Sequence, residues 1–184
     1  MRILGIDPGS RATGYGIIEM HGNRLAHVAH GTIATSSSDP LPARLAAIFL
    51  GLRDVLALHR PAEVGVENIF NAHNAQSALK LGHARGVALL AAELDRLPLE
   101  EYTPMQVKSA VVGYGHATKE QVQEMVRRLL ALPERVGADA SDALAVAICH
   151  AQTRSTLKAY ARAVAARPAI RGRTRGVRLP GDRE

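Results

Sequence analysis

The chain is poor in the groups that small proteins use as staples. Its 184 residues include one cysteine, Cys149, which excludes an internal disulfide and any multi-cysteine zinc site. Tryptophan is missing and aromatics make up 3% of the residues, so a core must be built from interdigitating Ala, Leu, Val and Ile. Hydrophobic residues reach 47%, and the length suits one well-buried domain while being short for two. No apolar run approaches the ~20 residues that cross a bilayer. Met1-Arg2 leads straight into a short apolar segment, with nothing resembling a signal peptide. No internal repeat appears, and no linker precedes Ala166. The expectation is one soluble, cytoplasmic domain over residues 1–166, with no membrane partner.

Charge is unevenly placed. The net charge is +6, but residues 167–184 hold six arginines against Asp182 and Glu184, leaving +2 for the rest. A segment such as Arg167-Pro168-Ala169-Ile170-Arg171-Gly172-Arg173 buries too little apolar surface to fold alone. It reads as a disordered basic C-terminal tail suited to phosphates; a merely solubilising tail is the plainer alternative. The eight histidines show no ligand spacing. His83 and His150 fall on predicted helices and read as packing residues.

What is present begins with strands. Arg2 to Asp7, Tyr15 to Met20 and Leu25 to Ala34 read as three antiparallel strands in succession. A helix is predicted from about Leu41 to His59, ended by Arg60-Pro61. Glu63 to Glu67 and Leu99 to Tyr102 read as short strands. Between them a long helix is expected from about Ala75 to Leu97, with Ala75, Ala78, Gly82 and Gly86 forming a face that a second helix can approach closely. Shorter helices follow from Pro104 to Val112 and, behind a Thr118-Lys119-Glu120-Gln121 capping box, to Leu132. A last helix starts near Gly137 and continues toward Arg162. Strands first, then alternating strand and helix, make one α/β domain.

Carboxylates mark the candidate site. Asp7 ends the first strand at a Pro8-Gly9 turn, and Glu67 ends a later strand in the same way. Asp139 and Asp142 stand three apart at a helix start and share a face. Each has a plain reading: a turn cap, a surface residue, or an N-cap helped by the helix dipole. The combination is more pointed. Bare carboxylates ~4 Å apart repel by roughly 4 kcal/mol at an effective dielectric of 20, so convergence calls for a cation. Oxygen donors without spare cysteines favour Mg²⁺ or Mn²⁺ over zinc.

Ile6-Asp7-Pro8-Gly9-Ser10-Arg11-Ala12-Thr13-Gly14-Tyr15-Gly16, Val66-Glu67-Asn68-Ile69-Phe70, the run Asn74 to Gly86, Gln106-Val107-Lys108 and Asp139-Ala140-Ser141-Asp142-Ala143-Leu144-Ala145 resemble the bacterial RuvC Holliday-junction resolvases. The resemblance spans roughly residues 2 to 155, with segments in the right order. It implies a ribonuclease H-like mixed sheet of five strands, three antiparallel and then parallel, with helices on both faces. It implies a homodimer, with the long helix near Ala75 building the contact, that nicks two opposed strands of a four-way DNA junction in recombination and repair. Asp7, Glu67, Asp139 and Asp142 fall on the family's acidic positions as catalytic residues and metal ligands, for two Mg²⁺ ions per site with Mn²⁺ able to substitute. Lys119 falls beside the scissile phosphate as a further catalytic group. DNA contacts are implied at Ser10, Arg11, Phe70, Asn71, Asn74, Lys80, Arg85, Lys108 and Lys119. Phe70 is the aromatic expected to stack on junction bases. The branch-migration helicase proteins RuvA and RuvB are implied partners. His73 stands where relatives carry lysine, which would weaken a phosphate contact.

Three rivals follow from the same residues. The Asp-Pro-Gly turn also resembles sugar-kinase and actin-like ATPases, but those need a second such domain. A catalytically silent junction-binding protein and a sister nuclease acting on other nucleic acid are the others; cleavage of four-way against linear or hybrid substrates separates them.

Overall fold

The computed structural model describes residues 1–68 and 74–165, and within the last helix side chains are described as far as Ala161. The described residues form five strands: β1 (Arg2–Asp7), β2 (Ala12–His21), β3 (Arg24–Ala34), β4 (Glu63–Glu67) and β5 (Leu99–Tyr102). They form one mixed sheet in the order β3-β2-β1-β4-β5. β1 lies at the centre, antiparallel to β2 and parallel to β4, and β5 continues the parallel half. Because β1 and β4 run the same way with Ile6 beside Val66, their C-terminal acids emerge at the same sheet edge. The predicted fold class is the observed one.

Among the described residues, five helices cover the sheet: α1 (Leu41–His59), α2 (Ala75–Leu94), α3 (Pro104–Val112), α4 (Lys119–Leu129) and α5 (Ala138–Ala165). Ile17, Leu4 and Val66 face α1 and α2 in one apolar cluster, while Ile3 and Ile18 face α3, α4 and α5 in a second. The core is aliphatic, as the shortage of aromatics requires. Thr103 with Gln106, and Thr118 with Gln121, close reciprocal capping boxes at the starts of α3 and α4. Two helices stop short of the expected ends for one reason. Arg96 and Ala131 adopt left-handed backbone with φ of 52° and 50°, and Pro98 and Pro133 then prevent any continuation. The last helix instead runs past Arg162 to Ala165.

Helix α5 lies unusually close to the sheet. A Cβ added at Gly5 would come within 2.1 Å of the Ala143 carbonyl oxygen, and one at Gly14 within 2.0 Å of the Asp139 carbonyl oxygen. Bare strand backbone is therefore what admits this helix, and its first turn arrives beside the tip of β1. His150 is buried at 4% exposure, as expected for a packing residue. His83 is exposed on α2 and only bonds back to the Leu79 carbonyl; the packing role predicted for it fails, because that side of α2 faces away from the sheet.

Candidate active site

The four acids meet at one end of the sheet. Asp7 and Glu67 are delivered by the tips of neighbouring parallel strands. Gly14 pairs with Asp7 across the β1–β2 ladder, and the Asp139 backbone rests on Gly14, which brings the start of α5 to the same place. Enclosure by protein, reinforced first by the Glu67 carboxyl and then by Asp142 and Asp139, pushes the Asp7 carboxyl up to about 9. Enclosure also raises Glu67, against the opposing pull of Asp7, Lys119 and Lys108. Crowding of the two carboxyls thus favours holding a proton over carrying two adjacent negative charges.

Asp142 has a different partner. Lys119 Nζ stands 2.8 Å from Asp142 Oδ2, and this hydrogen bond raises the lysine further above its ordinary value. Glu67, Lys108, Lys119 and Asp142 line one cleft of about 180 Å³, floored by Val107, Val122 and Ala145. A wider cavity of about 900 Å³ lies between the β2–β3 hairpin and the α4–α5 connection and contains none of the acids.

A cation fits this donor set. The ligands are oxygens only, suited to a hard divalent ion, and the crowding that raises the Asp7 carboxyl is what a bound cation would relieve. Among the described residues, no three His, Cys, Asp or Glu side chains are already drawn together as a metal-ligand group. Asp142 is turned to Lys119, so it would have to leave that pair to hold an ion together with Glu67.

The other predicted residues divide into groups. Ser10 and Arg11 lie on the turn after β1. Thr13 Oγ1 donates to the Gly9 carbonyl at 2.9 Å, and Arg44 reaches from α1 to the Ser10 carbonyl. Arg44 was not anticipated from sequence. Its signal was a charge beside the apolar stripe of α1, and its 8% exposure shows that it anchors the turn. Asn74 caps α2, accepting from the Ser77 amide at 2.8 Å. Lys80 and Arg85 lie on α2, on the sheet face opposite α5. Arg85 makes a two-pronged contact with Glu101 of β5, at 2.5 and 2.6 Å. Phe70, Asn71 and His73 lie outside the described residues, as does the basic segment after Ala165.

A mixed five-stranded sheet with acids at the tips of its two central parallel strands and at the start of a crossing helix defines an α/β protein of the ribonuclease H-like resolvase class. The comparisons narrow this class. The family model described as "Crossover junction endodeoxyribonuclease RuvC" matches residues 3–150, and the chain belongs to that family. The protein of that name from Geobacter metallireducens is 63% identical over 153 residues, 83% of this chain and 93% of its own. That from Geobacter sulfurreducens is 60% identical over 164 residues, 89% of this chain and 99% of its own. Thermus thermophilus RuvC, solved in complex with a Holliday junction substrate, superposes with a TM-score of 0.80 at 37% identity, over 85% of this chain and 96% of that one. The yeast mitochondrial Holliday junction resolvase Ydc2 shares the fold, with a TM-score of 0.63 at 15% identity over 87% of this chain and 83% of its own. The kinase-like and actin-like reading is set aside by this membership.

Proposed function

We propose that the chain resolves four-way DNA junctions in recombination and repair, nicking opposed strands by metal-dependent phosphodiester hydrolysis. The observation that carries the reading is the placement of Asp7 and Glu67 at adjacent parallel strand tips, beside the start of α5, which carries Asp139 and Asp142. We assign these four as ligands for two divalent ions, Mg²⁺ with Mn²⁺ as substitute. Bound there, such ions supply charge that activates water and stabilises a leaving oxygen. The chain's own residues do the rest. Asp7, on the central strand, would be one of the residues that hold the metal. Lys119, on the rim of the cleft, is placed to meet the phosphate whose negative charge builds during displacement. Lys108, lining the same cleft, positions the adjoining phosphate.

Ser10, Arg11, Asn74 and Lys80 extend the DNA-contacting surface on either side of the cleft. Phe70, three residues beyond Glu67, is assigned to stack on opened bases, a contact worth ~1–3 kcal/mol per base. Asn71 is assigned beside it. Arg85 is held by Glu101, so its part in DNA contact requires release from that pair. The single buried thiol, Cys149, suits a reducing compartment, and no described helix is long and apolar enough to cross a membrane; we place the enzyme in the cytoplasm. The basic segment 167–184 is read as an auxiliary phosphate-binding arm.

A two-fold junction cut symmetrically calls for a two-fold enzyme. The face of α2 carrying Gly82 and Gly86 has no described residue within 4 Å of either position, while Leu79 and Leu90 on the same helix are 63% and 51% exposed. Leu45, Ala78, Leu79 and Val87 line a shallow apolar groove along it. A second copy of α2 is the occupant that symmetry supplies. RuvA and RuvB, which would carry the junction to this enzyme, are partners on the strength of the family alone.

The test is a synthetic mobile four-way junction incubated with Mg²⁺. Paired nicks are expected from the unaltered protein. Asp7→Asn is expected to bind the junction in a gel-shift assay and leave it intact. Cleavage at near-normal rate by that variant would sink the metal assignment.

A further inference from the structure

Side chains alternate along a strand, so the face of β4 that carries Glu67 also carries Gly65 and Glu63. At ~3.3 Å per residue, the two glutamates lie roughly 13 Å apart. Helix α5 crosses this face. A Cβ at Gly65 would stand 3.2 Å from both His150 Cβ and Val146 Cγ1. Asp142, Val146, His150 and Arg154 recur every fourth residue and form one stripe of the helix. Asp142 and His150 are separated by roughly 12 Å along the axis, at ~1.5 Å per residue. The strand and helix spacings match, and Glu63 therefore meets His150 at one end when Glu67 meets Asp142 at the other.

At the Glu63 end the contacts are polar. His150 Nε2 lies 2.9 Å from Glu63 Oε2, and the Tyr102 hydroxyl lies 3.0 Å from His150 Nδ1. Arg154 makes an ion pair with the same glutamate. The carboxylate only accepts, so Nε2 carries the proton and Nδ1 accepts from the Tyr102 hydroxyl. Tyr102 also sits opposite Glu67 in the β4–β5 ladder, and its carbonyl accepts from the Asn68 amide at 2.7 Å. One network thus ties β4, β5 and α5 together, and each of these elements carries or adjoins a residue of the acid site.

The polar contacts add directional restraints to the apolar packing that seats α5. Ala143 and Ala147 meet the bare backbone of Gly5, while Leu144, Val146 and Ile148 of the same helix are fully buried in the core. Sliding α5 by one residue's rise, ~1.5 Å, would break both His150 hydrogen bonds and displace Asp142 by the same amount. Oxygen–metal distances tolerate only about 0.2 Å. We propose that Glu63, His150 and Tyr102 are positioning residues, which lock α5 along β4 and so set the separation of Asp142 from Glu67 for cation binding. This rests on the assignment of those acids as metal ligands.

The experiment is Mn²⁺ titration of the DNA-free protein, with free ion followed by electron paramagnetic resonance and folding checked by thermal melting. Tyr102→Phe and Glu63→Ala are expected to weaken Mn²⁺ binding about 10-fold, the lower end of the effect of residues that orient metal ligands. Glu63→Gln, which keeps an acceptor for His150, is expected to retain most of the affinity. Ile148→Val destabilises the same helix without touching the network and is expected to bind normally. If Asp7→Asn abolishes binding while Tyr102→Phe and Glu63→Ala leave it unchanged, the lock is overturned and the ligand assignment stands. An equal loss in Ile148→Val would also overturn it, by reducing the effect to general stability. If Asp7→Asn binds Mn²⁺ normally, the ligand assignment fails and the lock falls with it.

Discussion

Gly14 and Asp139 are in main-chain contact: the Asp139 carbonyl oxygen occupies the position a side chain at residue 14 would need, 2.0 Å from where its Cβ would stand. Gly14 is also the ladder partner of Asp7. The distance between the first and third acidic segments is therefore governed by a missing methyl group.

Gly14→Ala is accordingly expected to push the start of α5 off the sheet. Overpacking of this kind costs about 1–3 kcal/mol. Junction cleavage is expected to fall more steeply than stability, because Asp139 moves directly away from Asp7. Chemical denaturation and a nicking assay on the same preparation check both; full activity with unchanged stability would show that the helix has room to rise.

Lys119 serves two partners in succession in this scheme, Asp142 in the free protein and the phosphate in the complex. Lys119→Ala is expected to lower the cleavage rate by about 100-fold, in the range found when a group stabilising transition-state charge is removed. It is also expected to reduce the slope of log affinity against log salt by about 1, as the loss of one phosphate contact should. Lys119→Arg should restore the slope more fully than the rate.

The raised carboxyls make a pH prediction for metal-free protein. Asp7 ordinarily titrates at 3.8 and is pushed up to about 9 in the fold. Across that window the folded state holds a proton that the unfolded chain has released, so stability falls as pH rises and levels off above it. Under the proposed metal assignment, divalent ions would replace that proton. Mg²⁺ is therefore expected to raise the melting temperature more at pH 8 than at pH 6, with stabilisation of ~2.7 kcal/mol at an ion concentration 100 times its dissociation constant. Asp7→Asn should flatten both dependences in a melting series.

The open face of α2 gives the fourth expectation. Leu79→Asp, at a position 63% exposed in the single chain, should leave the fold intact and drive the protein to monomer in sedimentation experiments. A carboxylate buried without a partner costs about 3–5 kcal/mol, enough to weaken the dimer more than 100-fold. A Leu79→Asp protein that stays dimeric places the subunit contact elsewhere.

Much of the fold was legible along the chain. Strand tips at Asp7 and Glu67 were marked by Pro8 and by the end of an apolar run, and Thr118 announced its capping box. These signals are local, and local backbone preferences survive in the folded state. Helix ends at Leu94 and Leu129 were less legible, because Arg96 and Ala131 enter left-handed backbone without the glycine that ordinarily signals it. The small-residue side of α2 was visible as a pattern, but Gly82 and Gly86 turned out to face away from the described residues, with Ala84, Ala88, Ala91 and Ala92 buried instead.

By itself the sequence determined which segments become strand or helix, and that four acids end up on strand tips and a helix start. Only the tertiary structure decided their company: Glu67 for Asp7, Lys119 for Asp142, Glu101 for Arg85, and Glu63 with Tyr102 for His150. The physical reason is periodicity. A repeat of 3.6 or 2 assigns residues to a face of their own element, while the partner met by that face depends on how closely two backbones approach, and here that was decided by glycines in strands remote from α5 along the chain.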